Sequence, residues 1–426
     1  MAEVPHPSLA PDPVLLTIER VGGQGDGIAY GADGRPVFIP LTLPGEQVAA
    51  SVEGERGVLD HLIAASAERI TPPCPHFGTC GGCAFQHWAT APYLAWKVGE
   101  IRAELARAHI ETEILPPFIA SPGRRRRVAL HARRGPDGRV MLGFKGRRSW
   151  SVVPIETCVI AHPAIVEALP RLARLAGPFL EHRKSAPTLH VTVTDTGLDV
   201  DVTGVEAKSG GLSADARRRA TAIAAEMDLA RLTLAGELVY MAREPLVRFG
   251  AVTAPLPAGG FLQATAEAEA IMAGFATEAL GTASRVADLF CGSGAFTFRL
   301  AERAGVLALD ASAPAIAALA KGRASATGLK GILAEARDLF RRPLLVREMK
   351  GLDAVVFDPP RAGAELQAGE IARSAVPLAV GVSCNVQTFA RDAAILVQGG
   401  FRLDRVLPVD QFLWSPHIEL VGVFTR

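Results

Sequence analysis

The sequence predicts an α/β chain: a Rossmann-like, doubly wound domain at the C-terminal end, preceded by a small OB-like β-barrel and a mixed α+β middle. Three observations carry this reading. From about Phe261, the short apolar runs "RVADLF", "VLALD", "GILAEARD", "LDAVVFD" and "LAVGVSC" alternate with Ala-rich helical stretches, the βαβ pattern of a parallel sheet. Between about Leu15 and Glu68, β-type runs are punctuated by Gly and by a "DG" turn at 33–34, which spaces about five barrel strands. Between these regions, "HVTVTDTGLDVDVTG" and "ELVYMAREPLVRFG" alternate as antiparallel strands do, and "PAIVEALPRLARLAGPFL" has helical spacing. The chain therefore divides into 10–68, 69–255 and 256–426.

The N-terminal stretch "MAEVPHPSLAPDPVLL" has no basic start followed by an apolar run, so it reads as a disordered lead and not as a signal peptide. No apolar run approaches a membrane span. After the barrel, "TPPCPHFGTCGGCAFQHW" places Cys74, Cys80 and Cys83 at C-x5-C-x2-C spacing, and Cys158 follows far downstream in "PIETCVIAHP". Four thiolates ligate zinc or an iron–sulfur cluster, and tetrahedral sulfur does not separate the two. Next, "YLAWKVGEIRAELARAHI" brings Trp96, Ile101, Leu105 and Ile110 to one side of a helix near 93–112.

Six cysteines in 426 residues are too few for a disulfide scaffold and point to a reducing, cytoplasmic setting. The net charge of +1 hides an asymmetry: Ser121 to Trp150 holds ten Lys or Arg, from Arg124 to Arg148, against the single acid Asp137. That block is a candidate polyanion surface.

The segment "RVADLFCGSGAFTFRLA" runs strand, Gly-rich turn, helix, with a helix start expected near Ala295. Asp310 ends the next strand, where a carboxylate meets ribose hydroxyls; Asp338 and Asp358 end the two after it. The turn has no G-x-G-x-x-G and little provision for a pyrophosphate, which weighs against the alternative of a nicotinamide-dependent oxidoreductase with a zinc site. Cys384 closes the last apolar run, in "GVSCNVQTFARD".

Together these residues resemble the RNA (uracil-5-)-methyltransferases, over nearly the whole chain. The resemblance implies a class I S-adenosylmethionine-dependent methyltransferase domain and an N-terminal TRAM barrel that binds RNA, matched by "GQGDGIAYGADGRPVFIPLTLPGEQV". It implies a 4Fe–4S cluster on Cys74, Cys80, Cys83 and Cys158. Cofactor contacts are implied for Gln263, Phe290, Gly292, Asp310, Asp338 and Asp358, a nucleophile at Cys384 and a base at Glu419 of "SPHIEL". The cluster spacing differs from the C-x3-C-x2-C of radical enzymes that use the same cofactor.

The barrel and cluster favour 23S rRNA as substrate, with tRNA as the alternative. The chain is expected to act as a monomer. Three positions depart from the family pattern: Thr265 and Ala295 stand where Asn is usual, and Val386 where Pro is usual. They leave open a catalytically weakened RNA-binding or ribosome-assembly protein, against which the intact Cys384 and Glu419 speak.

Overall fold

The computed structural model describes residues 13–206 and 211–426. The expected N-terminal lead, through Asp12, and the first residues of the expected barrel lie outside them. The chain forms two compact units, one running to Lys97 with Trp414–Pro416, the other Val98–Leu413 with His417–Arg426.

The first unit holds a six-stranded sheet over Val14–Thr17, Arg20–Val21, Asp26–Tyr30, Pro36–Pro40, Gln47–Glu53 and Arg56–Ala64. The sequence shows about five of them because Arg20–Val21 is too short to display a period of two. The "DG" hairpin forms: Gly34 takes φ +76°, and Asp33 Oδ1 accepts the Arg35 N–H at 3.0 Å. Ile18, Ala29, Ile39, Val48 and Ala50 pack into one core. Phe85, Trp88 and Tyr93 form a second cluster with Trp96 and Trp414.

The second unit has two large sheets with separate cores. One has seven strands in the order Val152–Pro154, Val140–Lys145, Arg127–Arg134, Thr188–Thr194, Gly197–Thr203, Arg231–Leu234 and Glu237–Met241. Helices Pro163–Ala176 and Ala214–Glu226 supply buried residues to its core. The expected strand in "PLVRFG" does not join this sheet. Leu246–Phe249 pairs instead with Val252–Pro255, and Val247, Phe249, Val252 and Ala254 pack into the core of the other sheet.

That other sheet is built from β1 (Arg285–Leu289), β2 (Gly305–Asp310), β3 (Ile332–Ala336), β4 (Ala354–Phe357), β5 (Leu378–Ser383), β6 (Arg402–Asp410) and β7 (Glu419–Thr425). All five strands read from the apolar runs are present. Their order is β3-β2-β1-β4-β5-β7-β6, with β1 to β5 parallel, β7 antiparallel to β5 and β6 antiparallel to β7. The order reverses direction at β1, so a crevice opens at the carboxyl ends beside it. Two short strands, Glu113–Ile114 and Phe118–Ile119, also join this sheet beside β6, although the sequence assigns them to the middle region. Two residues are too few to show any period.

The helix expected near 93–112 is Thr90–Arg107, ended where His109 adopts φ +55°. Ile101, Leu105 and Ile110 reach the core that also holds Leu289 and Phe357. Among the described residues no helix is long and apolar enough to cross a membrane.

Candidate active site

Most residues singled out in the C-terminal region gather at one edge, because they end or follow a parallel strand; Gln263 precedes β1 and meets this edge through its side chain. Phe290 and Gly292 follow β1, Asp310 ends β2, Asp338 follows β3, Asp358 follows β4 and Cys384 follows β5. Glu419 begins β7, which runs the opposite way, so its first residue lies at the same edge.

On the β1–β3 side the carboxylates serve the turns. Asp310 Oδ2 accepts the Gly292 N–H at 2.9 Å and Oδ1 accepts the Ser312 N–H at 2.7 Å, tying the Gly-rich turn to the end of β2. Asp338 Oδ1 accepts the Phe340 N–H at 3.0 Å, and the Phe340 ring stands 5.5 Å from that of Phe290. Phe290 itself holds φ +63°, a strained conformation for a bulky residue. Gly294 is required: a Cβ there would sit 2.6 Å from the Phe298 ring. The helix begins at Thr297, two residues later than expected, because the chain is still turning through Gly294. Asp288 is fully buried in β1. Its Oδ2 accepts from Thr297 Oγ1 at 2.5 Å, and its Oδ1 has no partner. Burial, helped by Asp358 and Asp310 nearby, pushes this carboxyl up to about 7.

On the β4–β7 side, side-chain amides join the acids. Glu419 Oε1 accepts from Gln411 Nε2 at 3.0 Å, and the same nitrogen donates to Gln263 Oε1 at 2.7 Å. Gln263 Nε2 then donates to Asp358 Oδ2 at 3.0 Å. Gln411 Oε1 accepts the Ala264 N–H at 2.8 Å, so its own orientation is set by backbone. Burial pushes Glu419 up to about 8, with Asp358 adding to the rise and Gln411 and Arg361 opposing it. Asp358 keeps a small accessible edge, but the protein packed around it pushes its carboxyl to about 7.

Cys384 is half-buried. Burial first, then the negative charge of Glu419, push its thiol to about 11, and Arg361 acts against them. The Cys384 thiol thus feels one carboxylate and one guanidinium, and their charges act on its ionisation in opposite directions. Arg361 Nη2 lies 3.1 Å from His417 Nδ1, and its carbonyl accepts from Asn385 Nδ2 at 3.2 Å.

The departures from the family pattern find physical reasons. Thr265 caps helix Ala266–Ala279, its hydroxyl accepting the Ala268 N–H at 3.1 Å, a task Asn also performs. Val386 is the first residue of helix Val386–Gln398, where Pro is favoured because that N–H has no intrahelical partner. Asn385 secures this start by accepting the Gln387 N–H at 3.0 Å. Ala295 packs against the sheet core.

Gln411 was not singled out in the sequence; its only signal there is a polar side chain directly after the end of β6. The Arg run also differs from a uniform charged surface. Arg126 is buried, ion-paired with Glu269 at 2.5 Å, and its Nε donates to the Gln263 carbonyl at 3.1 Å. It is thus a brace for the Gln263 segment.

The cysteine set is divided between the two units. Cys74, Cys80 and Cys83 are half-buried in the first, and Cys158 packs against the core of the seven-stranded sheet in the second. Among the described residues no group of three or more His, Cys, Asp or Glu is placed to hold a metal ion.

The strand-end carboxylates, the Gly-rich turn and the orphaned Asp288 oxygen fit an S-adenosylmethionine-dependent methyltransferase. The comparisons agree. The tRNA (uracil-5-)-methyltransferase family model matches residues 253–426. A Caulobacter vibrioides protein described as an RNA methyltransferase is 61% identical, over 96% of this chain and 99% of that one. A 23S rRNA (uracil(1939)-C(5))-methyltransferase of Chromohalobacter salexigens is 32% identical, over 96% of this chain and 89% of that one. In fold, the chain matches a Pyrococcus abyssi tRNA (uracil-54, C5)-methyltransferase solved with S-adenosyl-L-homocysteine, at TM-score 0.72 and 21% identity, covering 97% of this chain and 100% of that one. The chain belongs to the RNA (uracil-5-)-methyltransferase family.

Proposed function

We propose that the chain methylates C5 of a uridine in 23S rRNA through a covalent adduct between Cys384 and uracil C6. The observation that carries this reading is the hydrogen-bonded series Glu419–Gln411–Gln263–Asp358 at the same sheet edge as Cys384. S-adenosylmethionine, when bound, supplies an electrophilic methyl. Gln263, Phe290, Gly292, Asp310, Asp338 and Asp358 would hold it.

The chemistry at the base belongs to the chain's own side chains. C5 of uracil is too poor a nucleophile to take a methyl unaided. Cys384 Sγ, as thiolate, bonds to C6, and the C5–C6 π pair moves into an enolate over C5, C4 and O4. Once C5 carries the methyl, Glu419 removes the C5 proton. That electron pair restores the C5–C6 double bond, and the C6–Sγ pair returns to Cys384. Glu419 then ends protonated, which a carboxyl near pKa 8 tolerates at neutral pH.

The reacting base must leave its stack, so contacts to the surrounding RNA have to offset the unstacking. The exposed part of the Arg124 to Arg148 block and the N-terminal barrel, read as a TRAM domain, are proposed to supply them. The 32%-identical relative, which spans nearly the whole chain, favours rRNA over tRNA. The 4Fe–4S cluster rests on the cysteine spacing and the resemblance, and no step of the reaction runs through it. Iron and sulfide content and visible absorption of the purified protein test it. A cytoplasmic, monomeric enzyme completes the proposal.

Mapping 5-methyluridine in rRNA and tRNA from cells with and without the gene tests the substrate. Loss of one 23S rRNA site is expected. Loss confined to tRNA would overturn the rRNA assignment.

A further inference from the structure

Period-two alternation splits the arginine run. Arg126 and Val128 face the core, while Arg125, Arg127 and Ala129 face the other way. On that other side lies a recess of about 260 Å³, lined by Arg125, Arg127, His190, Phe261, Gln263 and Phe412, among others. Phe261 is 67% exposed, an unusual position for a phenyl ring beside a functional edge. The Arg125 guanidinium stands 5.9 Å from the centre of the Phe412 ring. The recess thus offers aromatic faces and two guanidinium groups, which suits a flat π system attached to an anion.

Its position connects it to the catalytic groups by two routes. Gln263, in its wall, donates to Asp358. Phe412, also in its wall, meets the His417 ring edge-on at 6.2 Å, and His417 contacts Arg361, whose charge acts on the Cys384 thiol. Neither Cys384 nor Glu419 lines the recess, so it does not hold the reacting base. Asp199 and Asp201 act on the Arg127 charge, and each also has a nearer partner. Asp199 is held by Arg231 through two contacts of 2.8 Å, and Asp201 accepts from Thr233 Oγ1 and from the Gly236 N–H.

We infer that this recess is a subsite for a nucleotide flanking the target uridine, its base stacked on Phe261 and its phosphate held by Arg125 and Arg127. Flipping the target removes a stacking partner from each neighbour, and an exposed phenyl ring replaces one of them. Part of the selection of the methylated site then lies in the identity and reach of that neighbour. This inference rests on the proposed RNA substrate.

Two RNA stem-loops that carry the mapped uridine test it, with 2-aminopurine on its 5′ side in one and on its 3′ side in the other. Methylation of the unsubstituted stem-loop by the wild-type enzyme is measured first; failure there counts against the proposed function alone. With a competent substrate, 2-aminopurine at one of the two positions is expected to stay quenched on binding the wild-type enzyme. Its emission should rise several-fold with Phe261→Ala and stay quenched with Phe261→Trp. Phe261→Ala and Arg127→Gln are each expected to raise KM for the stem-loop roughly tenfold, with a much smaller change in kcat. Emission equal for wild type and Phe261→Ala at both positions would overturn the subsite. A loss confined to kcat would do the same, because it would place Phe261 at the reacting base instead.

Discussion

The two halves of the sheet edge use the same residue type in opposite ways. Around β1 to β3, Asp310 gives both oxygens to backbone N–H groups of neighbouring turns, and Asp338 gives one, its other oxygen facing Arg341 at 3.5 Å. Around β4 to β7, Asp358 and Glu419 meet side-chain amides, and burial lifts them to about 7 and about 8. A carboxylate fed by turn N–H groups shapes a cradle. One held near neutrality by burial can take a proton and give it back. The difference teaches how one continuous edge separates carboxylates that brace turns from carboxylates that burial keeps near neutrality.

Substitutions on the β4–β7 side should therefore change proton transfer. The largest effect is expected from Glu419→Gln, which keeps the side-chain shape but removes the proposed base. Turnover should fall roughly 10²- to 10⁴-fold while the methylated adduct accumulates, seen as a protein–RNA band on a denaturing gel. Next, Arg361→Gln removes the positive charge that opposes the rise of both Cys384 and Glu419. Adduct formation in single-turnover experiments should slow by roughly 10- to 100-fold at neutral pH and recover in part as pH is raised.

Gln411→Met keeps volume but deletes the N–H given to Glu419. Because that hydrogen bond lowers the Glu419 pKa, its loss should move the ascending limb of the rate profile, expected near pH 8, to higher pH. An unshifted limb with a uniform rate loss would make Gln411 a packing residue only.

The smallest effect is on stability. Asp288 has a folded-state pKa near 7 against an ordinary value of 3.8, so between those limits the folded chain holds a proton that the unfolded chain releases. Stability from this group is thus lost as pH rises through that window. His131 and His190 are lowered by burial, so they contribute in the opposite sense, with stability rising as pH approaches 6.5. The measurement is therefore a difference. The melting temperature of Asp288→Asn relative to wild type should increase between pH 5 and 7, and a flat difference would contradict the assignment.

Much of this edge was legible in the sequence because a buried parallel strand writes itself as a short apolar run. Cys384 and Asp358 were found as the first residues after such runs. Gln411 was not, because a single glutamine after a strand carries no pattern; only the pairing of β6 with β7 brings it to Glu419. Arg126 was hidden among three other arginines, although the alternation that begins with strand Arg127–Arg134 already separates it from its neighbours. The short strands at 113–119 were invisible because their pairing with β6 is decided by tertiary contact, not by local propensity. The cysteine spacing was the clearest local motif, yet it has no gathered counterpart among the described residues.

The central claim is that Cys384 bonds to the base it methylates. RNA carrying 5-fluorouridine at the target, incubated with S-adenosylmethionine, tests it most directly, because the C5 fluorine of the methylated adduct cannot leave as a proton does. The wild-type enzyme should form a covalent complex stable to denaturation, with the RNA attached to the peptide that contains Cys384, and Cys384→Ala should form none. A covalent complex of equal yield with Cys384→Ala, or attachment at another residue, would contradict the account.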